Sequence, residues 1–186
     1  MGFRIVILGS GRGSNARALL EAERADRLQG AEIVGVLSDK KDAGILEHGR
    51  AFEKESIHVP YGKKKEQPCL DQLEQWAPDL VILAGFMRII GDQFLARWEG
   101  KIINLHPSLL PSFKGLDGIG QAWRAGVKVT GCTVHWVNAE LDGGEIIDQQ
   151  AVRVEENDTL ESLEEKIHAA EHVLLVSVVA QLSAAS

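Results

Sequence analysis

Asn104 and His106 stand two residues apart at the end of the apolar run Ile102-Ile103-Asn104-Leu105, and the chain passes directly into Pro107-Ser108-Leu109-Leu110-Pro111. On an extended strand this spacing projects both side chains to the same side. An amide N–H and an imidazolium aimed at one point stabilise a tetrahedral oxyanion, and the prolines stiffen the loop behind them. The carboxyl end of a buried strand is also where open α/β sheets hold ligands. A second constellation, Gly9-Ser10-Gly11-Arg12-Gly13-Ser14-Asn15, falls between a strand-like and a helix-like segment, where backbone N–H groups and the helix dipole suit an anion such as phosphate. Ser14 occupies the place of the third glycine of the dinucleotide fingerprint, and no Gly-Lys-Ser/Thr follows, so neither an NAD nor an ATP loop is matched. The same residues also spell an ordinary glycine turn with Ser14 as helix N-cap.

Three further groups carry weaker signals. Asn138 to Gly144 contains Asp142-Gly143-Gly144, either a turn between strands or a loop that brings a carboxylate to His106 and favours its charged form. His168-Ala169-Ala170-Glu171-His172 matches the H-x-x-E-H pattern of zinc peptidases, but it sits in a charged helical stretch with no third ligand marked, and no metal is expected. Lys63-Lys64-Lys65 is either a solvated run or a countercharge for an acidic small molecule.

The elements that must position these groups follow from hydrophobic period. Phe3 to Leu8, Ala31 to Ser38, Ser56 to Pro60, Leu80 to Ala84 and Ile102 to Leu105 read as strands. Between and after them, Ser14 to Leu28, Gly44 to Lys54, Lys65 to Trp76, Gly91 to Trp98 and Ile119 to Ala125 read as helices. Leu80 to Ala84 is apolar throughout, which suits burial on both faces in mid-sheet. Thr130 to Val137 alternates and pairs antiparallel with Glu145 to Val154, after which Thr159 caps a long helix to about Leu182 that packs on the sheet. Ser162 is no acid, so only half of a capping box is expected there. The architecture predicted is α/β: a mostly parallel twisted sheet, helices on both faces, and an antiparallel C-terminal strand pair.

Composition bounds the partners. The chain has 186 residues, 45% hydrophobic and 25% charged, which is a globular balance rather than a disordered one. A net charge of -7 disfavours a nucleic-acid binder, and small-molecule substrates are expected. The longest apolar stretch, Val173 to Ala180, is interrupted by Ser177, so no membrane association is expected. Met1-Gly2-Phe3-Arg4 lacks the features of a signal peptide, and the expected location is cytoplasmic. Cys69 and Cys132 are expected to be structural thiols.

Taken together, Gly11-Arg12-Gly13-Ser14-Asn15, Ala84-Gly85-Phe86-Met87-Arg88-Ile89, Asn104-x-His106-Pro107-Ser108-Leu109-Leu110-Pro111, Thr130-Gly131-Cys132-Thr133-Val134-His135 and Leu141-Asp142-Gly143-Gly144 closely resemble the phosphoribosylglycinamide formyltransferase family, in order along nearly the whole chain. The resemblance implies a single Rossmann-like formyltransferase domain over 1–186, with a nucleotide-binding half (1–100) and a catalytic and folate-binding half (101–186). It implies formyl transfer from 10-formyltetrahydrofolate, as co-substrate, to the amine of glycinamide ribonucleotide in purine biosynthesis. Neither a metal nor a nucleic acid is implied, and a homodimer is compatible with it.

Carried over by position, the resemblance implies Asn104, His106 and Asp142 as the catalytic trio and Gly13, Ser14, Asn15 and Glu171 as the nucleotide site. Met87, Arg88, Ile89 and Ile90 would line the folate pocket, the backbone from Asn138 through Ala139, Glu140 and Leu141 to Asp142 would meet the pteridine, and Lys63 would meet the glutamate tail. Asn104 serves both catalysis and folate binding. His135, inward on its strand with Thr133, would support the catalytic loop. Glu145 departs from the family, which often has proline there, and Asp117 and Gly118 fall in the loop expected to cover the nucleotide. Related formyltransferases acting on tRNA, and folate hydrolases, carry extra domains for which 186 residues are expected to leave no room.

Overall fold

The computed structural model describes residues 2–62 and 64–186. The apolar runs become the strands β1 (Arg4–Leu8), β2 (Glu32–Ser38), β3 (Ser56–His58), β4 (Leu80–Leu83), β5 (Ile102–His106), β6 (Val129–Trp136) and β7 (Ile146–Arg153). The helices are α1 (Ser14–Arg24), α2 (Gly44–Ala51), α3 (Gln67–Trp76), α4 (Asp92–Trp98), α5 (Gly118–Ala125) and α6 (Leu160–Ala184). One seven-stranded sheet has the order β3-β2-β1-β4-β5-β6-β7, with β4 at its centre. Pairing is parallel from β3 to β5 and antiparallel from β5 to β7.

Strand period divides the core into two layers. Ile5, Ile7, Leu80, Ile82, Ile103 and Leu105 point into one layer with α1, α2 and α6, whereas Val6, Leu8, Val81, Leu83 and Ile102 point into the other with α3 and α4. A strand buried on both faces has to be apolar at every position, which is why β1 and β4 read as continuous runs. Cys132 lies in the first layer and Cys69 in the second, both fully buried, and burial pushes each thiol up to about 12.

By length and composition α6 is apolar enough to cross a bilayer, yet Leu163, Ile167, Leu174, Leu175, Val178 and Val179 form a buried stripe packed against α1, β6 and β7. Its N-terminus has a complete capping box. Ser162 Oγ accepts from the Thr159 N–H at 3.0 Å while Thr159 Oγ1 accepts from the Ser162 N–H at 3.2 Å, so a serine does the work expected of an acid. The shorter α4 is capped from outside by Glu66, a buried carboxylate that accepts from the Phe94 N–H at 2.7 Å.

Candidate active site

The parallel strands end along one edge of the sheet, and β5 delivers Asn104 and His106 there on the same side. Across the antiparallel pairing Asn104 faces His135 and His106 faces Thr133. His106 is 5% exposed; its Nε2 donates to the Phe113 carbonyl at 2.9 Å, which leaves Nδ1 turned to Asp142 Oδ2 at 3.5 Å. His135 Nδ1 donates to the Trp136 carbonyl at 2.8 Å, so its Nε2 is an acceptor and takes one amide hydrogen of Asn104 at 3.2 Å. Burial pushes His135 below its ordinary value, in keeping with a neutral ring. Asp142 Oδ1 lies 3.9 Å from the same Nε2, so the four side chains are linked in one cluster running Asn104, His135, Asp142, His106.

Asp142 reaches this cluster by an indirect route. β6 runs opposite to β5, so the β6–β7 loop leaves the sheet level with Ile102, where the Val137 N–H donates to its carbonyl, and must fold back to bring Asp142 to His106. Asp142 adopts a left-handed φ of 49°, and a Cβ on Gly144 would lie 1.7 Å from the Trp136 carbonyl oxygen, so only glycine permits this path. The Gly115 N–H donates to Asp142 Oδ2 at 2.7 Å, and Lys114 pairs with Glu140 at 2.9 Å, which fasten the loop after β5 to the loop after β6.

Thr133 ties the proline-rich loop to β6. Its hydroxyl donates to the Ser108 carbonyl at 2.7 Å and accepts from the Leu110 N–H at 3.1 Å. Gln149 on β7 adds bonds to Thr133 Oγ1 and the Leu110 carbonyl. Sequence reasoning missed Gln149, which lies on an exposed strand with no distinguishing neighbour. Thr133 and His135 therefore divide their support, Thr133 holding the loop and His135 holding Asn104.

The glycine loop turns at Gly13, whose φ of 83° makes it the N-cap of α1 with no side-chain cap, so Ser14 is the first helical residue rather than the cap. A Cβ on Gly13 would meet the Ile45 backbone at 2.5 Å, so the loop packs directly against α2. Between the loop and Lys40 to Gly44 opens a cleft of about 430 Å³. Glu171, 4% exposed, reaches across from α6 and its Oε2 accepts from Asn15 Nδ2 at 3.2 Å and His168 Nδ1 at 2.9 Å. The Glu171 bond holds His168 above its ordinary value against the opposing effect of burial, whereas burial pushes His172 down. Asn15 Oδ1 and His172 Nε2 are buried without partners. Among the described residues no group of His, Cys, Asp or Glu is gathered to hold a metal.

The segment after β4 is fastened to this loop. Ser10 Oγ accepts from the Met87 N–H at 2.8 Å and donates to Asp39 Oδ1 at 2.5 Å, and Asp39 Oδ2 accepts from Arg88 Nε at 2.6 Å. Burial alone would raise the Asp39 carboxyl, but the bonds from Ser10 and Arg88 outweigh it and leave the group below its ordinary value. Ile90 packs on the second core layer, while Met87, Ile89 and Leu141 are 60%, 65% and 60% exposed. Asn138 Oδ1 accepts from the Glu140 N–H at 2.9 Å, and Ala139 and Glu145 are exposed. Lys63 lies outside the described residues.

The formyl transferase family profile matches residues 3–179. The phosphoribosylglycinamide formyltransferase of Bacillus subtilis is 41% identical over 189 residues, covering 96% of this chain and 94% of its own. The human trifunctional purine biosynthetic protein adenosine-3 is 44% identical over 174 residues, 91% of this chain but 17% of its own. Among solved structures, phosphoribosylglycinamide formyltransferase from Bacillus halodurans superimposes with a TM-score of 0.92 at 42% identity, covering 96% of this chain and 94% of that one.

Proposed function

The chain belongs to the formyl transferase family and is a formyltransferase, and from that premise we propose that it moves the formyl group of 10-formyltetrahydrofolate to the amine of glycinamide ribonucleotide, a step of purine biosynthesis. The observation that carries this reading is the cluster of Asn104, His106, Asp142 and His135 at the carboxyl end of β5, on the same sheet edge as the glycine loop that follows β1. Both reactants are small molecules.

Attack of the amine on the formyl carbon gives a tetrahedral oxyanion, so no protein nucleophile is required. Asn104 keeps one amide hydrogen after bonding His135, and His106 as imidazolium keeps the Nδ1 hydrogen after Nε2 is taken by Phe113; these two are the donors to the oxyanion in this reading. In comparable sites a well-placed donor is worth about 3 to 4 kcal/mol. The Asp142 carboxylate, 3.5 Å from His106 Nδ1, takes the proton of the attacking amine, directly or through water, and returns it to the leaving nitrogen. Gly13, Ser14 and Asn15 hold the phosphate at the uncapped N-terminus of α1. Glu171 holds the ribose end. Met87, Arg88, Ile89 and Ile90, with Asn138 to Asp142, hold the folate, and the exposed apolar Met87, Ile89 and Leu141 suit a flat ring. Residues 1–100 thus supply the phosphate site and one wall of the folate pocket, and 101–186 supply the chemistry. The protein acts in the cytoplasm.

The test follows release of deformylated folate spectrophotometrically with and without glycinamide ribonucleotide. Turnover that requires the nucleotide is the expected result, and Asn104→Ala, His106→Ala and Asp142→Ala are expected to abolish it while nucleotide binding persists. Folate consumption without the nucleotide, or undiminished rates in these variants, overturns the reading.

A further inference from the structure

One buried carboxylate touches both candidate substrate segments. Asp39 follows β2, its side chain has 0% exposure, and each oxygen accepts a short bond: Oδ1 from Ser10 of the glycine loop and Oδ2 from Arg88 of the segment after β4. Ser10 doubles the connection, because its hydroxyl accepts from the Met87 N–H at 2.8 Å and its own N–H donates to the Gly85 carbonyl at 2.9 Å. Exposed ion pairs contribute little, but a fully covered carboxylate with a charged partner is a fixed strut whose loss leaves Arg88 uncommitted. The Ser10 hydroxyl donates in one direction and accepts in the other, so without Asp39 nothing orients it toward Met87. The strut is distinct from the cluster at the end of β5, which shares none of these bonds.

We propose that Asp39 is a positioning residue that fixes the glycine loop and the Met87 to Ile90 segment in one arrangement, so that occupancy of the nucleotide site and of the folate site are coupled. The inference rests on the assignment of these segments to the two substrates. A ligand that holds the glycine loop in place holds Ser10, and through it the backbone at Met87. Such coupling is reciprocal: folate must tighten nucleotide binding by the same factor as nucleotide tightens folate binding.

The experiment measures nucleotide binding by calorimetry with and without saturating tetrahydrofolate, together with steady-state KM and kcat, for the wild type, Asp39→Asn, Asp39→Ala and Ser10→Ala. The wild type is expected to show coupling of at least about fivefold, the lower end of the usual range. Asp39→Ala is expected to raise KM for both substrates about tenfold, the equivalent of one hydrogen bond to a charged group, with kcat changed far less. Its coupling factor should fall to one. Asp39→Asn, which still accepts from one partner, should recover part of both effects. Ser10→Ala should move all three quantities in the same direction, and it carries the comparison if Asp39→Ala does not fold. A KM shift confined to one substrate, an unchanged coupling factor, or no coupling in the wild type overturns the proposal. Wild-type protein without nucleotide-dependent turnover overturns the proposed function with it, whereas normal wild-type turnover beside insensitive variants overturns this inference alone.

Discussion

An imidazole assists acyl transfer only through a nitrogen free to donate where charge develops, and the surroundings of His106 select that nitrogen. Nε2 is engaged by the Phe113 carbonyl, so Nδ1, facing Asp142, is the remaining nitrogen and donates in the imidazolium form. Asp142→Asn keeps an oxygen for the Gly115 N–H but removes the proton acceptor, so kcat should fall by about 10² to 10⁴ while the melting temperature barely moves, as steady-state kinetics and thermal melts would show. His135, His168 and His172 divide their effect on stability between acid and base. His135 and His172 lie below their ordinary 6.5 in the folded state, so below that pH the unfolded chain binds more protons and stability falls. His168 lies above 6.5, so its bond to Glu171 contributes fully below 6.5 and is lost as pH rises through the raised value. His168→Gln should therefore lower urea resistance at about pH 6 and leave it nearly unchanged at about pH 9. Asn104 and His106 were legible as a pair because strand period is fixed geometry. Placement of Asp142 beside His106 was not, since it depends on the path of a loop.

At the scale of elements, the loop between β6 and β7 acts as a rigid carrier. Its return path requires Gly144, and an added Cβ would strike the Trp136 carbonyl, so Gly144→Ala should push Asp142 away from His106. Loss of kcat comparable to that of Asp142→Asn, together with a stability loss of about 1 to 3 kcal/mol by chemical denaturation, is the expected result. Ser162→Ala should cost about 1 kcal/mol by the same measurement without touching turnover, because the capping box at the N-terminus of α6 is more than two helical turns from Glu171. Helix boundaries were readable to within a few residues, and so was Thr159 as the cap of α6, yet its capping-box partner and the cap of α4 were not. Sequence pattern seeks an acid at Ser162 and gives no sign that Glu66, remote in sequence, caps α4. Such contacts are tertiary, and local propensity carries no record of them.

Taken whole, the molecule is one sheet with a core layer on each side, and the central place of β4 was legible because its burial is total. β4 has no polar position and β1 only Arg4 at its start, whereas β7 at the edge carries mostly exposed residues. Each layer holds one thiol, Cys132 on the α6 side and Cys69 on the α3 side, both sealed and held protonated. Because only an exposed thiolate reacts, an alkylating reagent reads the frequency with which each layer opens to solvent. Mass-resolved labelling of the native protein should therefore time two halves of the same unfolding event with no engineered probe. Equal rates would mean that the sheet releases both helical layers together, and a faster Cys69 would mean that the α3 and α4 layer peels first from a β-sheet that still holds α6.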